Sequence, residues 1–427
     1  MCGKFRTLQS RNAAEPAIVN KSPLLPIFLI VLVDILGLTI ILPLLPFYAE
    51  KLGASATVVG LLISSYAACQ LIAGPILGRI SDRVGRRPVL IVSQVGTLIG
   101  FLILAAANVL WLVFLSRIID GLTAGNLSLA QAYIADVTAP KNRAKSFGVI
   151  GIAFGIGFLI GPAVSGFLSQ YGYHYPILAA AALSATSILC TFFLLPAVAP
   201  APLGQVNADE PPPPAGARLG VLDWNGYVEY FRRPELKNLL WQFFLFAFCF
   251  ATFVSGFALF AQRRFTIDGQ PWGPKQIGYV FAYVGFLGII LQGGLIGRMV
   301  KWFGEPRLVW SGFLAAAVGF AGLGFAYNLP ALLIVSAVAS YGTGVLRPAI
   351  TSLITQQAGR REQGVVLGLT QSLTSVSQII APVIAGMLID RGLLAAWALV
   401  AAGTAGIGFL VSKFAGRQNT PTPAGSP

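Results

Sequence analysis

Four ionisable groups stand where charge is least welcome. Asp34 is the one charged residue in the apolar run 24–49, with Thr39 five residues further on. Arg117 and Asp120 fall inside a second such run, and Arg347 inside a third, beside Pro348. An ionised carboxylate at bilayer depth costs about 2.5–3.5 kcal/mol on insertion scales, so Asp34 must be neutralised, paired or put to use. The chemistry open to it is proton uptake and release, because burial raises an Asp pKa whereas a nearby Arg lowers it. Arg117 and Asp120 are three residues apart and share a helical face. They read either as a self-neutralising structural pair or as participants in proton and substrate traffic. Arg347 has no acid near it in sequence. It meets an anionic substrate group, or it pairs with polar residues where two parts of the fold join.

The elements that must position these groups are membrane helices. Only 10% of the 427 residues are charged and 56% are apolar, against about 25% charged in soluble domains. Runs long enough to cross a bilayer, about 20 residues, cover 24–49, 56–78, 88–107, 110–137, 146–168 and 176–196. After a polar gap they resume at 239–262, 275–297, 307–327, 330–357, 364–389 and 393–413. A β-barrel would alternate apolar and polar residues over about 10 positions, and these runs do not. The net charge of +14 would suggest nucleic acid in a soluble protein. Here 22 of the 29 Lys and Arg fall on one side of the twelve spans, which places both termini in the cytoplasm. No nucleic-acid partner is expected.

The chain repeats itself. "GRISDRVGRRPVL" at 78–90 matches "GRMVKWFGEPRLV" at 297–309 with an offset of 219, and Gly125 falls on Gly344 at the same offset. Pro162 and Gly166 fall on Pro382 and Gly386 at an offset of 220. The expected architecture is an all-α membrane protein with 12 transmembrane helices in two pseudo-symmetric six-helix bundles. Its parts are a tail at 1–23, bundles at 24–196 and 239–413, a linker at 197–238 and a tail at 414–427. The linker opens Pro-rich and flexible. It then places Trp224, Tyr227, Val228 and Phe231 on one face of a short amphipathic helix. That helix lies on the inner membrane face or packs on the transmembrane body. Parallel repeats of this kind place substrate between the halves, near the midplane.

The same landmarks carry a family resemblance. "GRISDRVGRRPVL" is similar to the cytoplasmic signature between the second and third helices of the major facilitator superfamily, and "RIIDGLTAG" resembles its fourth-helix signature. "GIGFLIGPAVSG", with Gly157, Gly161, Pro162 and Gly166, looks like the fifth-helix signature of its antiporter branch. "VDILGLTIILPLLPFY" is similar to the first helix of tetracycline and multidrug efflux pumps. The resemblance implies a major facilitator fold and proton-coupled antiport of hydrophobic, drug-like molecules. It also implies a cytoplasmic latch built from Gly78, Asp82, Arg83, Gly85, Arg86, Arg87 and Asp136. Asp82 would face the N-terminus of helix eleven, whose dipole favours an anion, and Arg86 would bridge Asp82 to Asp136. The pumps' helix-eight histidine and helix-nine aspartate look like Gly288 and Ala316 here.

Other candidates are weaker in type. Gln70, Asn126, Gln131, Gln292, Gln371 and Gln378 offer polar, uncharged contacts to an amphipathic organic substrate; such groups are also ordinary interhelical glue. Gly151, Gly155, Gly157 and Gly161 let helices approach closely, and Pro162 removes one helical hydrogen bond. "GIGFLIG" is no dinucleotide loop, since it lies inside an apolar span rather than after a strand. Cys2, Cys69, Cys190 and Cys249 are scattered and read as inert. No P-loop, catalytic dyad or metal cluster is evident. The expectation is a monomeric transporter of the cell membrane without a cofactor. Its energy source is the proton gradient. The rivals are a transporter of the same fold with a metabolite as cargo and, from another class, a membrane enzyme or sensor.

Overall fold

Lipid offers no partner to an open backbone amide, so apolar runs of this length must close their hydrogen bonds internally, as helices do. The computed structural model describes residues 24–137, 143–195, 224–358 and 362–418. The first half contains α1 (Leu24–Lys51), α2 (Ala56–Val84), α3 (Arg86–Ala106), α4 (Leu110–Leu122), α5 (Asn126–Val137), α6 (Arg143–Leu168) and α7 (His174–Leu194). A short α8 (Trp224–Arg232) precedes the second half. There follow α9 (Pro234–Arg264), a two-residue hairpin of β1 (Thr266–Ile267) and β2 (Gln270–Pro271), α10 (Pro274–Ile290), and a π-helical turn at Leu291–Leu295. The chain continues through α11 (Ile296–Phe303), α12 (Glu305–Gly324), α13 (Leu329–Gln357), α14 (Gln363–Asp390) and α15 (Leu394–Gln418). Among the described residues, 12 helical stretches are long and apolar enough to span a membrane, α4 with α5 and α10 with α11 each counting once.

Several boundaries differ from expectation, each for a local reason. The second span runs to Val84 rather than residue 78, because nothing stops the helix before Gly85, whose φ of 104° takes the chain out of it. Gly304, 219 residues later, does the same between α11 and α12 with φ 75°. The helix expected from 239 starts at Pro234, a residue suited to a first turn. The fourth span is broken at Thr123–Gly125. Thr123 Oγ1 turns back onto the Ile119 carbonyl at 2.9 Å, while Ser93 of α3 donates to the Thr123 carbonyl and accepts from the Gly125 amide at 3.0 Å. One buried serine therefore satisfies both sides of the break. Ser93→Ala should lower stability by about 1–2 kcal/mol, seen as a lower thermal midpoint in detergent, and an unchanged midpoint would count against this role.

α8 forms where the amphipathic pattern places it, and Phe231 of the expected stripe packs on Trp241 and the core; Val228 is the member that departs. Tyr230 is buried and Val228 is exposed, whereas the sequence put Val228 on the apolar stripe. The anchor is ionic. Arg233, just past the helix, donates to both oxygens of Glu362 at 3.0 and 2.9 Å and lies over the Tyr230 ring. The hydrogen-bonded carboxylate holds the Arg233 guanidinium above its usual basicity. Residues 197–223 of the linker and both tails through Pro23 and from Asn419 lie outside the described residues.

The halves meet along two equivalent seams, α2 on α14 and α6 on α10. A Cβ at Gly60 of α2 would overlap the Pro382 carbonyl, and one at Gly386 would overlap Ala56 and Thr57. On the other seam a Cβ at Gly278 would overlap the Pro162 carbonyl, and one at Gly166 would crowd Pro274 and Lys275. The residues matched at an offset of 220 thus make the same contact twice. Cross-half hydrogen bonds gather at the end of the molecule that carries Glu50. Lys275 donates to Gln170 at 3.0 Å, Arg263 pairs with Glu50 at 3.1 Å, and Asp390 receives the first amides of α2. Toward the other end the seam helices part. A Cβ at Gly74, Gly78, Gly151, Gly293 or Gly368 would meet open space.

Candidate functional site

α1 is apolar on every side, so its two polar groups are held by the helices around it. Thr39 is fully buried and its Oγ1 reaches the Gly157 carbonyl of α6 at 2.9 Å. Side chains at Gly157 and Gly161 would collide with Ile35 and Thr39. These two glycines of the fifth-helix motif therefore clamp α6 onto the helix that carries Asp34, while Pro162 and Gly166 make the seam with α10.

Asp34 is half-buried and lies in a nest of polar groups drawn from six helices. Ser187 of α7 and Asn126 of α5 are within hydrogen-bonding reach of its carboxylate, and Asp120 is close enough to act on its charge. The break after α4 is what starts α5 at Asn126, so Ser93 indirectly places this amide. Arg117 Nη1 pairs with Asp120 Oδ2 at 3.2 Å, each residue being 5% exposed. Asp120 also has Thr97 of α3 for a partner, and Arg117 sits 5.9 Å from the Phe101 ring centre. Tyr66 of α2 stands within range of all three charges and accepts from Gln70 Nε2 at 3.3 Å. Behind Asp34, buried Gln94 donates to Ser187 at 2.7 Å. Arg117 Nη2 and Asn126 Oδ1 are buried here without partners.

The nest holds two carboxylates and one guanidinium. Asp120 has the cation; Asp34 has none within 4.0 Å among the described residues. The pair expected from the three-residue spacing is present. Tyr66, Gln94, Thr97 and Ser187 were not singled out from the sequence. Their trace there is a polar stripe in each apolar helix, 94 and 97 in α3 and 184, 187 and 191 in α7.

At the end opposite Glu50, Arg86 pairs with Asp82 at 2.6 Å and donates to Ser81 Oγ at 2.6 Å. Arg87 ties α3 to the Phe192 carbonyl of α7, and Arg83 is exposed. The Asp136 side chain lies outside the described residues, and so does that of Gln363, which opens the end of α14 that Asp82 was expected to face. In the second half Glu305 occupies the repeat position of Arg86. It accepts from Ser352 Oγ and Gln356 Nε2 at 3.0 Å each. The same joint is wired with opposite charge.

A second polar tie, missed in the sequence, joins the halves at the Glu50 end. Asp390, the last residue of α14, accepts from the Ala56 amide at 2.7 Å, the Thr57 amide at 2.8 Å and the Thr57 hydroxyl at 2.5 Å. It caps α2 from the opposite half, where the helix dipole favours an anion. Arg263 bridges it at 4.0 Å to Glu50.

The candidate substrate residues are spread over five elements. Asn126 belongs to the nest and Gln70 adjoins it, Gln378 is half-buried, and Gln131, Gln292, Gln371 and Arg347 are exposed. Gly288 borders open space, whereas Ala316 is fully buried against Gly342, with no room for an acid. Cys69, Cys190 and Cys249 are free thiols, and no metal-ligating cluster occurs among the described residues.

A model of the Major Facilitator Superfamily matches residues 27–324 and 272–427. The chain is 31% identical over 380 residues to the class D tetracycline resistance protein of Salmonella ordonez, covering 87% of this chain and 91% of that one. It is 27% identical to the quinolone resistance protein NorA of Staphylococcus aureus (strain COL), over 83% of this chain and 87% of that protein. Its fold matches the crystal structure of the human organic anion transporter MFSD10 (TETRAN) with a TM-score of 0.68 at 25% identity, covering 91% of this chain and 98% of that one.

Proposed function

The chain belongs to the Major Facilitator Superfamily, and from that premise we propose that it exports hydrophobic or amphipathic drug-like molecules in exchange for protons. It is a multi-pass membrane protein, and its family implies a small-molecule substrate. Relatives named for tetracycline and quinolone resistance support the export reading. The observation that carries the coupling is the nest. Asp120 has its own guanidinium, which leaves Asp34 as the acid without a cation, half-buried and reachable by polar groups. In this reading Asp34 takes a proton from one side of the cell membrane and gives it to the other as the halves rock. The Arg117–Asp120 pair holds the field around it steady.

The distribution of Lys and Arg supports an outward-facing Glu50 end and two cytoplasmic termini. The conformation described is then shut outside and parted inside. The bundles 24–196 and 239–413 move against each other on the two glycine seams, joined through 197–238, and one copy suffices. Asp390 locks the outer end. When the molecule tips over, Asp82 takes the corresponding place at the start of α14 inside, with Arg86 bridging it to Asp136. α2 and α14 run antiparallel, so the capping of α2 by Asp390 at one end has its counterpart, in this reading, in Asp82 at the other. At about 100 mV and about one pH unit, one entering proton supplies about 3.7 kcal/mol. That sustains about a 500-fold gradient of a neutral substrate in one-to-one exchange.

The test is flux in proteoliposomes of known orientation, with tetracycline and a quinolone as probes. An imposed pH gradient should drive the drug against the proton flow. Co-migration of drug and proton would reverse the antiport assignment, and turnover of a substrate with no movement would indicate an enzyme. Asp82→Asn should favour molecules open at its own end, read as faster labelling of a cysteine placed there. Equal labelling rates in variant and parent would remove Asp82 from the lock.

A further inference from the structure

The second half holds one deep charge and nothing to balance it. From residue 236 to the end of the chain the only acids are Asp268, Glu305, Glu362 and Asp390, and all four stand in a loop or at a helix end. Arg347 lies in the interior of α13, and no described carboxylate is within 4.0 Å of it. It is nevertheless exposed, so its guanidinium points into the gap between the halves rather than into packing. Its neighbour across the gap is aromatic. The guanidinium carbon is 5.8 Å from the ring centre of Phe154 on α6, which stacks on Phe158 one turn away. The third wall is the π-helical turn at Leu291–Leu295. It touches both α6 and α13, leaves Gln292 exposed, and borders open space at Gly293 and Gly294. Single π turns within α-helices recur at functional sites.

We propose that Arg347, Gln292 and Phe154 form a subsite for the acidic group of the substrate, whose class is therefore an aromatic organic acid carrying one carboxylate. Guanidinium is the side chain best matched to a carboxylate, through two parallel hydrogen bonds. The Gln292 amide supplies a further donor, and Phe154 with Phe158 gives the ring system a flat face to lie on. An arginine at membrane depth is tolerated where it faces a watery cavity or a counter-ion, and a substrate anion provides the counter-ion during transport. Anion and proton then occupy opposite halves of one gap, Arg347 holding the former and Asp34 the latter.

This deepens the export reading and rests on it, so the test uses binding without any gradient. The purified full-length chain in detergent at pH 7.5 is titrated with 2-naphthoate and, separately, with 2-naphthamide. These share a ring system and differ in charge. The parent protein should bind the acid about 10- to 100-fold more tightly than the amide, the range expected for one charge-assisted contact. Arg347→Gln should erase that preference, weakening the acid far more than the amide, and Arg347→Lys should retain part of it. Phe154→Ala should weaken both compounds alike. Equal affinities in the parent would overturn the proposal even if the Gln variant failed to fold, and so would a preference that survives Arg347→Gln. Failure of the export reading would look different: no compound, charged or neutral, would move under a pH gradient.

Discussion

Asp34→Asn should collapse the drug gradient that a proton gradient can sustain from about 500-fold to none. Asparagine has nearly the shape of aspartate and keeps polar contacts for Ser187 and Asn126, so the nest should stay assembled. What it lacks is a proton to exchange. Equilibrium binding of the drug and its downhill exchange across the membrane should therefore survive, while uphill transport disappears. The two are separable in proteoliposomes by running flux with and without an imposed pH step. Uphill transport of normal size in the variant would remove Asp34 from the coupling. A loss of downhill exchange as well would make it a structural residue. Asp120→Asn should behave differently, because it strands Arg117, whose Nη2 is already buried without a partner. Leaving one member of a buried ion pair alone costs about 3–5 kcal/mol, so that variant should be unstable rather than uncoupled.

Asp390→Ala should shift the balance between closed and open forms of the Glu50 end by about 30-fold. The substitution removes an anion that accepts from Ala56, from both donors of Thr57, and lies within 4.0 Å of Arg263. Hydrogen bonds to charged groups contribute about 1.5–3 kcal/mol. Partial exposure reduces this sum to about 2 kcal/mol. Spin labels at Lys51→Cys and Arg391→Cys, both exposed and on opposite halves, would report the distance between the two edges. The Ala variant should add a longer-distance population, and Asp390→Asn, which keeps one acceptor, should fall between. Identical distance distributions in all three would show that the seams alone hold that end shut.

How much of this could be read in advance depended on how local the cause was. The twelve spans were legible because a bilayer sets a length that composition alone can meet. The Arg117–Asp120 pair was legible because three residues along a helix fix a common face. The break at Thr123–Gly125 was not, since its decisive partner, Ser93, belongs to another helix and looks in sequence like any other serine. Thr97 and Ser187 were hidden for the same reason: hydroxyls are common in membrane helices, and only the tertiary arrangement brings these two to Asp34 and Asp120. Asp390 was overlooked because an aspartate at the end of a span reads as solvated. At the offset of 219 the repeat puts Lys301 where Asp82 stands in the first half, so comparing the repeats finds no second aspartate there. The reciprocal aspartate lies instead on the facing helix, 334 residues from its partner Ala56.

The two seams are joints of bare backbone. At Gly60, Gly166, Gly278 and Gly386 what meets across them is main chain against main chain, not side chains keyed into one another. Contacts of that kind, C–H groups against carbonyl oxygens, are individually weak and fade smoothly as surfaces tilt apart. They act as a bearing. In the proposed cycle little would have to unmesh for the halves to swing, friction at the joint would stay low, and the aspartates at its ends would set the pace of turnover.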